Sequence, residues 1–260
     1  QPAEEGGGGG DVMVKEGIME RFDVKEIYAL HNAPLIETGT INTNPGPIMA
    51  SVDEFRVVFT GKGGHAAMPD QAVDPIPAAA AFADACQTIV SRNREPTKAL
   101  VVSVTRIMAG GAALNIIPQT SEVGGTVRSF DPELRDMCED KVRKLAEGIA
   151  VAYDLEAEVI YDRSYPATIN HPEQANFAAK VAEEIVGADR VEANVAPVMG
   201  SEDFAYMLEA RPGAYLFVGQ GDTPMCHHPA YDFNDDISPV GASFLARLVE
   251  RAQPLGEAEA

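Results

Sequence analysis

The stretch DEFRVVFTG at residues 53–61 alternates side chains so that Phe55, Val57 and Phe59 share one face. A period of two is the mark of a half-buried strand. Outward from it, residues 74–90 read as an alanine-rich helix. Residues 99–108 and 122–130 read as two further strands around a loop through Gly110, Gly111 and Pro118. Residues 132–153 predict a second helix and 156–161 a last strand. The order βαββαβ over roughly 110 residues is that of a ferredoxin-like split βαβ unit, an antiparallel sheet with two helices on one face.

On both sides of this unit the pattern changes. Residues 11–20 predict a short helix capped by Asp11 and weakened by Gly17, and residues 25–30 a strand ending at His31 and Asn32. Residues 42–50, rich in Asn, Pro and Gly, read as a crossover between domains. Beyond the insertion, Pro172 opens a helix that stops at Gly187, and Ser201 is the expected cap of a helix over 202–208. A buried strand is expected over 214–218 and a closing helix over 238–252. Helices alternating with short apolar strands indicate an α/β layer. The expected organisation is one α/β domain in two parts, 1–48 and 164–260, interrupted by the βαββαβ domain at 49–163. The opening part supplies too few strands for a doubly wound sheet, so the chain reads as the later portion of a longer protein.

The charge balance narrows the partners. Forty acidic against 20 basic residues give a formal net charge of −20 over 260 residues. Nucleic acid and anionic membranes are therefore disfavoured, since both require a basic footprint. No apolar run approaches the ~18 residues of a membrane span. Three scattered cysteines, Cys86, Cys138 and Cys226, form no disulfide framework, which makes a reducing, cytoplasmic setting the default.

Chemistry-bearing residues gather at a few places. The chain opens QPAEEGGGGG, with Glu4 and Glu5 adjacent before a glycine run. Neighbouring side chains of a strand point to opposite faces. The two carboxylates can therefore share a site only if the backbone turns, which glycine permits; otherwise they are a solvated acidic terminus. His31 follows one expected strand, and Cys226-His227-His228 sit in the loop after another. In open α/β sheets, ligands bind outside the carboxyl ends of strands. Glu5, His31 and His227 are thus candidate ligands for zinc, manganese or cobalt, with Glu4 as a general base. Each is also compatible with an ordinary loop or core residue. His171 before Pro172 reads as a helix-entry residue, and Cys86 and Cys138 as packing residues.

Taken together, the motifs QPAEEGGGG (1–9), ALHN (29–32), FTGKGGHAAMP (59–69), LNIIP (114–118), GGTVRSF (124–130), GSEDF (200–204) and HHPAYDFND (227–235) carry a resemblance. In this order the chain resembles the M20 metallopeptidase family. Within it, the chain is similar to the amidohydrolase branch of hippurate hydrolases and N-acyl-amino-acid deacylases. The resemblance implies a metal-dependent amidohydrolase that cleaves N-acyl amino acids by metal-activated water. Glu4 would be its general base, and Glu5, His31 and His227 would be ligands to a pair of divalent ions (Zn, Mn, Co or Ni). It implies that the βαββαβ unit is a lid and homodimerisation domain. There His65 would steady the developing oxyanion, and Asn115 and Arg128 would orient the substrate. Read from spacing alone, His65 is a turn residue and Arg128 an exposed strand arginine. Glu202 and Asp203 would support the site without binding metal.

The branch also supplies a cysteine and a histidine ligand from an upstream C-G-H-D-type motif, a context that none of the three cysteines has. The alternative expectation is therefore a catalytically inactive chain that retains lid-mediated dimerisation or ligand binding. A metallo-aminopeptidase or carboxypeptidase is a third reading, disfavoured by the QPAEE and HHPAYDF forms.

Overall fold

The computed structural model describes residues 2–254; Gln1 and residues 255–260, at the outer ends of the expected domains, lie outside the described residues. In chain order the first elements are α1 (Gly9–Lys15), α2 (Ile18–Arg21), β1 (Ile27–Pro34), β2 (Ile41–Asn42) and β3 (Pro47–Met49). Next come β4 (Asp53–Thr60), β5 (Gly64–His65), α3 (Ile76–Thr88), β6 (Leu100–Ala109), β7 (Ile116–Ile117), β8 (Thr120–Ser129), α4 (Pro132–Ala152) and β9 (Glu156–Arg163). The last are β10 (Thr168–Ile169), α5 (Pro172–Val186), β11 (Val191–Glu192), α6 (Phe204–Ala210), β12 (Gly213–Gly221) and α7 (Ser238–Ala252). They form two compact units, one of residues 2–49, Thr168–Val198 and 202–254, the other of Ala50–Ala167 with Met199–Ser201.

In the second unit β4 lies inside a four-stranded antiparallel sheet ordered β6-β8-β4-β9. Phe55, Val57 and Phe59 of β4 point into a core shared with Val102, Val123 and Val127 of neighbouring strands, Phe82 and Cys86 of α3, and Cys138, Val142 and Ala146 of α4. Phe59 and Phe82 meet edge to face at 5.8 Å between ring centroids. Cys86 and Cys138 are packing residues in this core, and burial pushes both thiols up to about 12. At the base of the sheet the buried carboxylate of Asp53 is satisfied by Arg135 at 2.6 Å and by the hydroxyl of Tyr161 at 3.0 Å. A buried charge is tolerated only when paired in this way. Phe59→Ala is expected to cost about 3–5 kcal/mol by opening a cavity. A shifted urea midpoint at constant slope would register that loss; an unshifted midpoint would contradict it.

In the first unit β1 pairs in parallel with β12, which pairs antiparallel with β2, which pairs in parallel with β11. Alternation splits the sheet's side chains between two cores. Tyr28, Leu30, Ala214 and Leu216 pack with α5 and α7. Ile27, Ala29, Tyr215 and Phe217 pack with α1, α2 and α6. The buried alanines of α5 (Ala175, Ala178, Ala179, Ala182) recur at helical spacing and let it sit close to the sheet.

Several local expectations are corrected. The first helix starts at Gly9, behind Gly8 in the left-handed region, and Asp11 is not its cap but pairs with Lys15 one turn on. Gly17 (φ 79°) breaks the expected helix in two. β1 runs on to Pro34, so His31 lies inside the strand, because pairing with β12 continues past the apolar run. The expected helix over 74–90 gives way to a π turn at Ile89–Asn93. Residues 42–50 contain strand β3, which pairs with β10. Ser201 is not a cap: the helix begins at Phe204, whose N–H is accepted by Glu202 Oε1 at 3.2 Å. Among the described residues no helix is long and apolar enough to cross a membrane.

Candidate active site

The glycine run turns the chain so that Glu4 and Glu5 lie in a tight loop. The carbonyl of Ala3 accepts the N–H groups of Gly6 at 3.3 Å and Gly7 at 2.8 Å, closing a turn around the two glutamates. Beyond them Gly8, at φ 57°, starts α1. The absence of a side chain at Gly9 is required, because a Cβ there would stand 1.8 Å from the carbonyl oxygen of Pro2. The loop therefore folds back onto the start of the helix.

Glu4 is half-buried and Glu5 exposed. Burial, followed by the charges of Glu202, Glu5 and Asp203, pushes the Glu4 carboxyl up to about 7, against a smaller opposing effect of His227. Below it, Glu202 is buried and fixed: its Oε2 accepts the hydroxyl of Tyr215 at 2.6 Å. Since the folded value for Glu4 lies above the ordinary 4.5, the folded state holds the extra proton between the two. Its contribution to stability is therefore fully present below about 4.5 and is lost as pH rises through about 7. The melting temperature of the wild type is expected to fall relative to Glu4→Gln across that window; parallel melting curves would contradict this.

His227 Nε2 stands 3.6 Å from Glu5 Oε1, with both side chains largely exposed. Such a pair is worth roughly 0–1 kcal/mol, too little to hold the loop that carries His227. That loop is held by amides. Asn32 of β1 donates to Gln220 Oε1 at 3.0 Å and to the hydroxyl of Tyr231 at 2.7 Å, and Asn234 donates to the Gln220 carbonyl at 2.9 Å. His227 itself takes φ 68°, a conformation rare outside glycine and tied to tight reversals. The neighbouring His228 serves the turn, its Nδ1 accepting the N–H of Ala230 at 3.0 Å.

His31, half-buried beside the rings of Tyr215 and Phe217, donates from Nδ1 to the carbonyl of Asn32 at 2.6 Å. This fixes the tautomer and leaves Nε2 with its lone pair, the state in which imidazoles bind metals. Among the described residues, however, no group of three or more His, Cys, Asp or Glu side chains stands close enough to hold a metal ion. Glu5 and His227 fit one by distance: donors about 2.0–2.2 Å from a shared ion lie less than about 4.4 Å apart, and theirs are at 3.6 Å. The structure thus pairs Glu5 with His227, keeps Glu4 within electrostatic reach of both, and leaves His31 outside that pair.

In the other unit, β5 and β7 form a two-stranded ribbon that brings His65 and Asn115 together, the carbonyl of Asn115 accepting the N–H of Ala66 at 3.0 Å. His65 Nδ1 accepts the N–H of Ala67 at 3.1 Å, so the exposed ring presents Nε2–H as a donor. Arg128, on β8, is half-buried, and burial lowers its pKa. Among the described residues it has no carboxylate within 4 Å, its Nη1 donating to the carbonyl of Val127 at 3.2 Å. The residues that sequence reasoning missed are Tyr215, Gln220, Tyr231 and Asn234. Tyr231 and Asn234 lie inside the HHPAYDFND stretch; nothing local marks the other two.

The chain matches Peptidase family M20/M25/M40 across residues 1–251. It is 38% identical to the hippurate hydrolase of Campylobacter jejuni over 248 residues, 95% of this chain and 64% of that protein. It is also 38% identical to an N-acetylcysteine deacetylase of Bacillus subtilis, again over 95% of this chain and 64% of that protein. Among solved structures, a Bacillus subtilis dinuclear metal-binding peptidase of the M20 family superposes with a TM-score of 0.80 at 31% identity, over 97% of this chain and 63% of that one. The chain thus spans somewhat under two thirds of the length of these relatives. With a family match that runs through every motif above, the chain belongs to Peptidase family M20/M25/M40.

Proposed function

We propose that this chain carries most of a metal-dependent amidohydrolase that releases amino acids from their N-acyl derivatives. The observation that carries the reading is the junction of the turned Glu4-Glu5 loop with His227, 3.6 Å from Glu5. Relatives that act on hippurate and N-acetylcysteine support the substrate class. Glu5, His31 and His227 are the proposed ligands of divalent ions, two in the complete protein by analogy with the dinuclear relative. A divalent cation bound there supplies Lewis acidity, which polarises a carbonyl and acidifies water.

The chain's own groups do the rest. Glu4 accepts a proton from the attacking water and returns it to the leaving nitrogen. Water thus adds across the amide C–N bond, giving a carboxylate and a free amino acid. His65 Nε2–H is the proposed donor to the acyl oxygen as it gains negative charge. Asn115 and Arg128 are the proposed orienting residues: a guanidinium suits a substrate carboxylate, and among the described residues Glu54 and Asp53 act on Arg128 without standing within 4 Å of it. The Ala50–Ala167 unit is the proposed lid and homodimerisation surface; its strand order supports the ferredoxin-like part of that reading. A cytoplasmic location fits the free cysteines.

One observation favours a second reading, in which the chain binds ligand or dimerises without turnover: no three-ligand group forms among the described residues. Amino acid release from N-benzoylglycine, N-acetylcysteine and a dipeptide panel, assayed with Mn²⁺, Co²⁺ or Zn²⁺, tests the proposal. The acyl amino acids are expected to be cleaved at least tenfold faster than dipeptides. Faster dipeptide cleavage would make the chain a peptidase, and no turnover from a folded, metal-loaded sample would favour the second reading.

A further inference from the structure

We propose that Asp203 is a positioning residue that fixes the Glu4-Glu5 loop by capping α1 from a distant part of the chain. The inference deepens the functional reading and rests on it for its catalytic consequence.

Helix α1 has no side-chain cap of its own: it begins behind Gly8, which has no side chain to offer. The first N–H groups of a helix have no intrahelical acceptor. Asp203 Oδ2 accepts the N–H of Gly10 at 2.7 Å, from 193 residues away. The fit is close enough to exclude a side chain at position 10, where a Cβ would lie 2.7 Å from the carbonyl oxygen of Asp203 and 3.1 Å from its Cγ. One residue earlier, Gly9 packs against the carbonyl of Pro2 and leaves still less room for a side chain. Two contacts, Asp203 to Gly10 and Gly9 to Pro2, joined through the chain, thus tie Asp203 to the loop that carries Glu4.

Asp203 is itself a fixed post. It is fully buried at the start of α6, a helix anchored by Phe204, Met207 and Leu208 in the same apolar core as Met13 and Val14 of α1. Its neighbour Glu202 is held by the hydroxyl of Tyr215. The other carboxylate oxygen of Asp203, Oδ1, is buried with no hydrogen-bond partner among the described residues. Burying an unsatisfied acceptor is costly, so the carboxylate is a poor choice for stability alone. What distinguishes it from an apolar side chain of its size is the bond to Gly10, beside the charge it sets near Glu4, which Asp203→Asn removes while keeping the acceptor.

The test compares the purified wild-type chain with Asp203→Ala, Asp203→Asn, Gly10→Ala and the Asp203→Ala/Gly10→Ala pair. Amide hydrogen exchange at residues 3–10 is read by NMR, with kcat and KM on N-acetylcysteine in the presence of Mn²⁺. Because the Gly10 N–H has no other acceptor in the helix, its protection reports the contact directly. Asp203→Ala is expected to speed Gly10 exchange by about tenfold or more, the range of a hydrogen bond to a charged group, and to lower kcat to a similar extent with KM little changed. Asp203→Asn, which keeps an acceptor, should restore both to within about threefold of wild type. Gly10→Ala should reproduce the kcat loss, and the double variant should be no worse than either alone, as expected for two changes at one contact.

Unchanged Gly10 exchange in Asp203→Ala, equal losses in Asp203→Asn and Asp203→Ala, or additive losses in the double variant would each overturn the proposal. Should Asp203→Ala fail to fold, wild-type kcat in Gly10→Ala would overturn it, and a loss of about tenfold there with Asp203→Asn still within about threefold of wild type would uphold it. If the wild type turns over no acyl amino acid, the functional reading fails while the exchange comparison still decides the role of Asp203.

Discussion

Glu4→Gln is expected to cut hydrolysis of N-acyl amino acids by about 10²–10⁴-fold, the usual contribution of a general base, while metal uptake stays within a few fold of wild type. The two glutamates share one turn but not one environment: Glu4 is half-buried above Glu202 and Asp203, and Glu5 is exposed and paired with His227. Glutamine keeps the shape of the side chain and removes only its capacity to take a proton. Loss of turnover together with loss of metal would place Glu4 among the ligands instead. Retained turnover would remove it from the chemistry.

His227→Ala is expected to weaken binding of Mn²⁺ or Zn²⁺ by more than about 100-fold, beyond the ~10–100-fold typical of losing an outer partner of a ligand, and to abolish turnover at limiting metal. His228→Ala is the internal control. Its ring serves the turn, with Nδ1 occupied by Ala230, so metal affinity should change little. The two substitutions remove the same ring one residue apart, and calorimetric titration of each separates a ligand from a loop residue. Equal losses would mean that the loop, not the imidazole of His227, is what matters. His227 also takes φ 68°, so alanine there carries a backbone penalty; His227→Asn, which tolerates that region better, should lose metal without the added strain.

How much of this was legible in the sequence depended on how local its causes are. The strand at β4 is written in the alternation of Phe55, Val57 and Phe59, and the core of its unit is where those rings are found. Helix α5 is written in its proline start, glycine stop and alanine spacing. The end of β1 was not legible, because His31 and Asn32 look like loop residues until the partner strand is seen to continue past them. Strands of two residues such as β5 and β7 carry no period at all, so the ribbon joining His65 to Asn115 could not be read. The glutamate pair and the histidines stand out by type, and the resemblance gave them roles. The contacts that place them join residues far apart in the chain: Gly10 to Asp203, and Asn32 to Gln220 and Tyr231. No window along the sequence contains both ends of any of these.

The central claim is that Glu5, His31 and His227 hold a divalent cation beside Glu4 in a hydrolytic site. The measurement that tests it most directly is hydrolysis of N-acetylcysteine and N-benzoylglycine by the purified chain after chelation, during back-titration with Mn²⁺, Co²⁺ or Zn²⁺, with bound metal measured on the same samples. The account predicts no turnover after chelation and recovery in step with metal bound. Turnover undiminished by chelation, or a folded chain that takes up no metal, would contradict it.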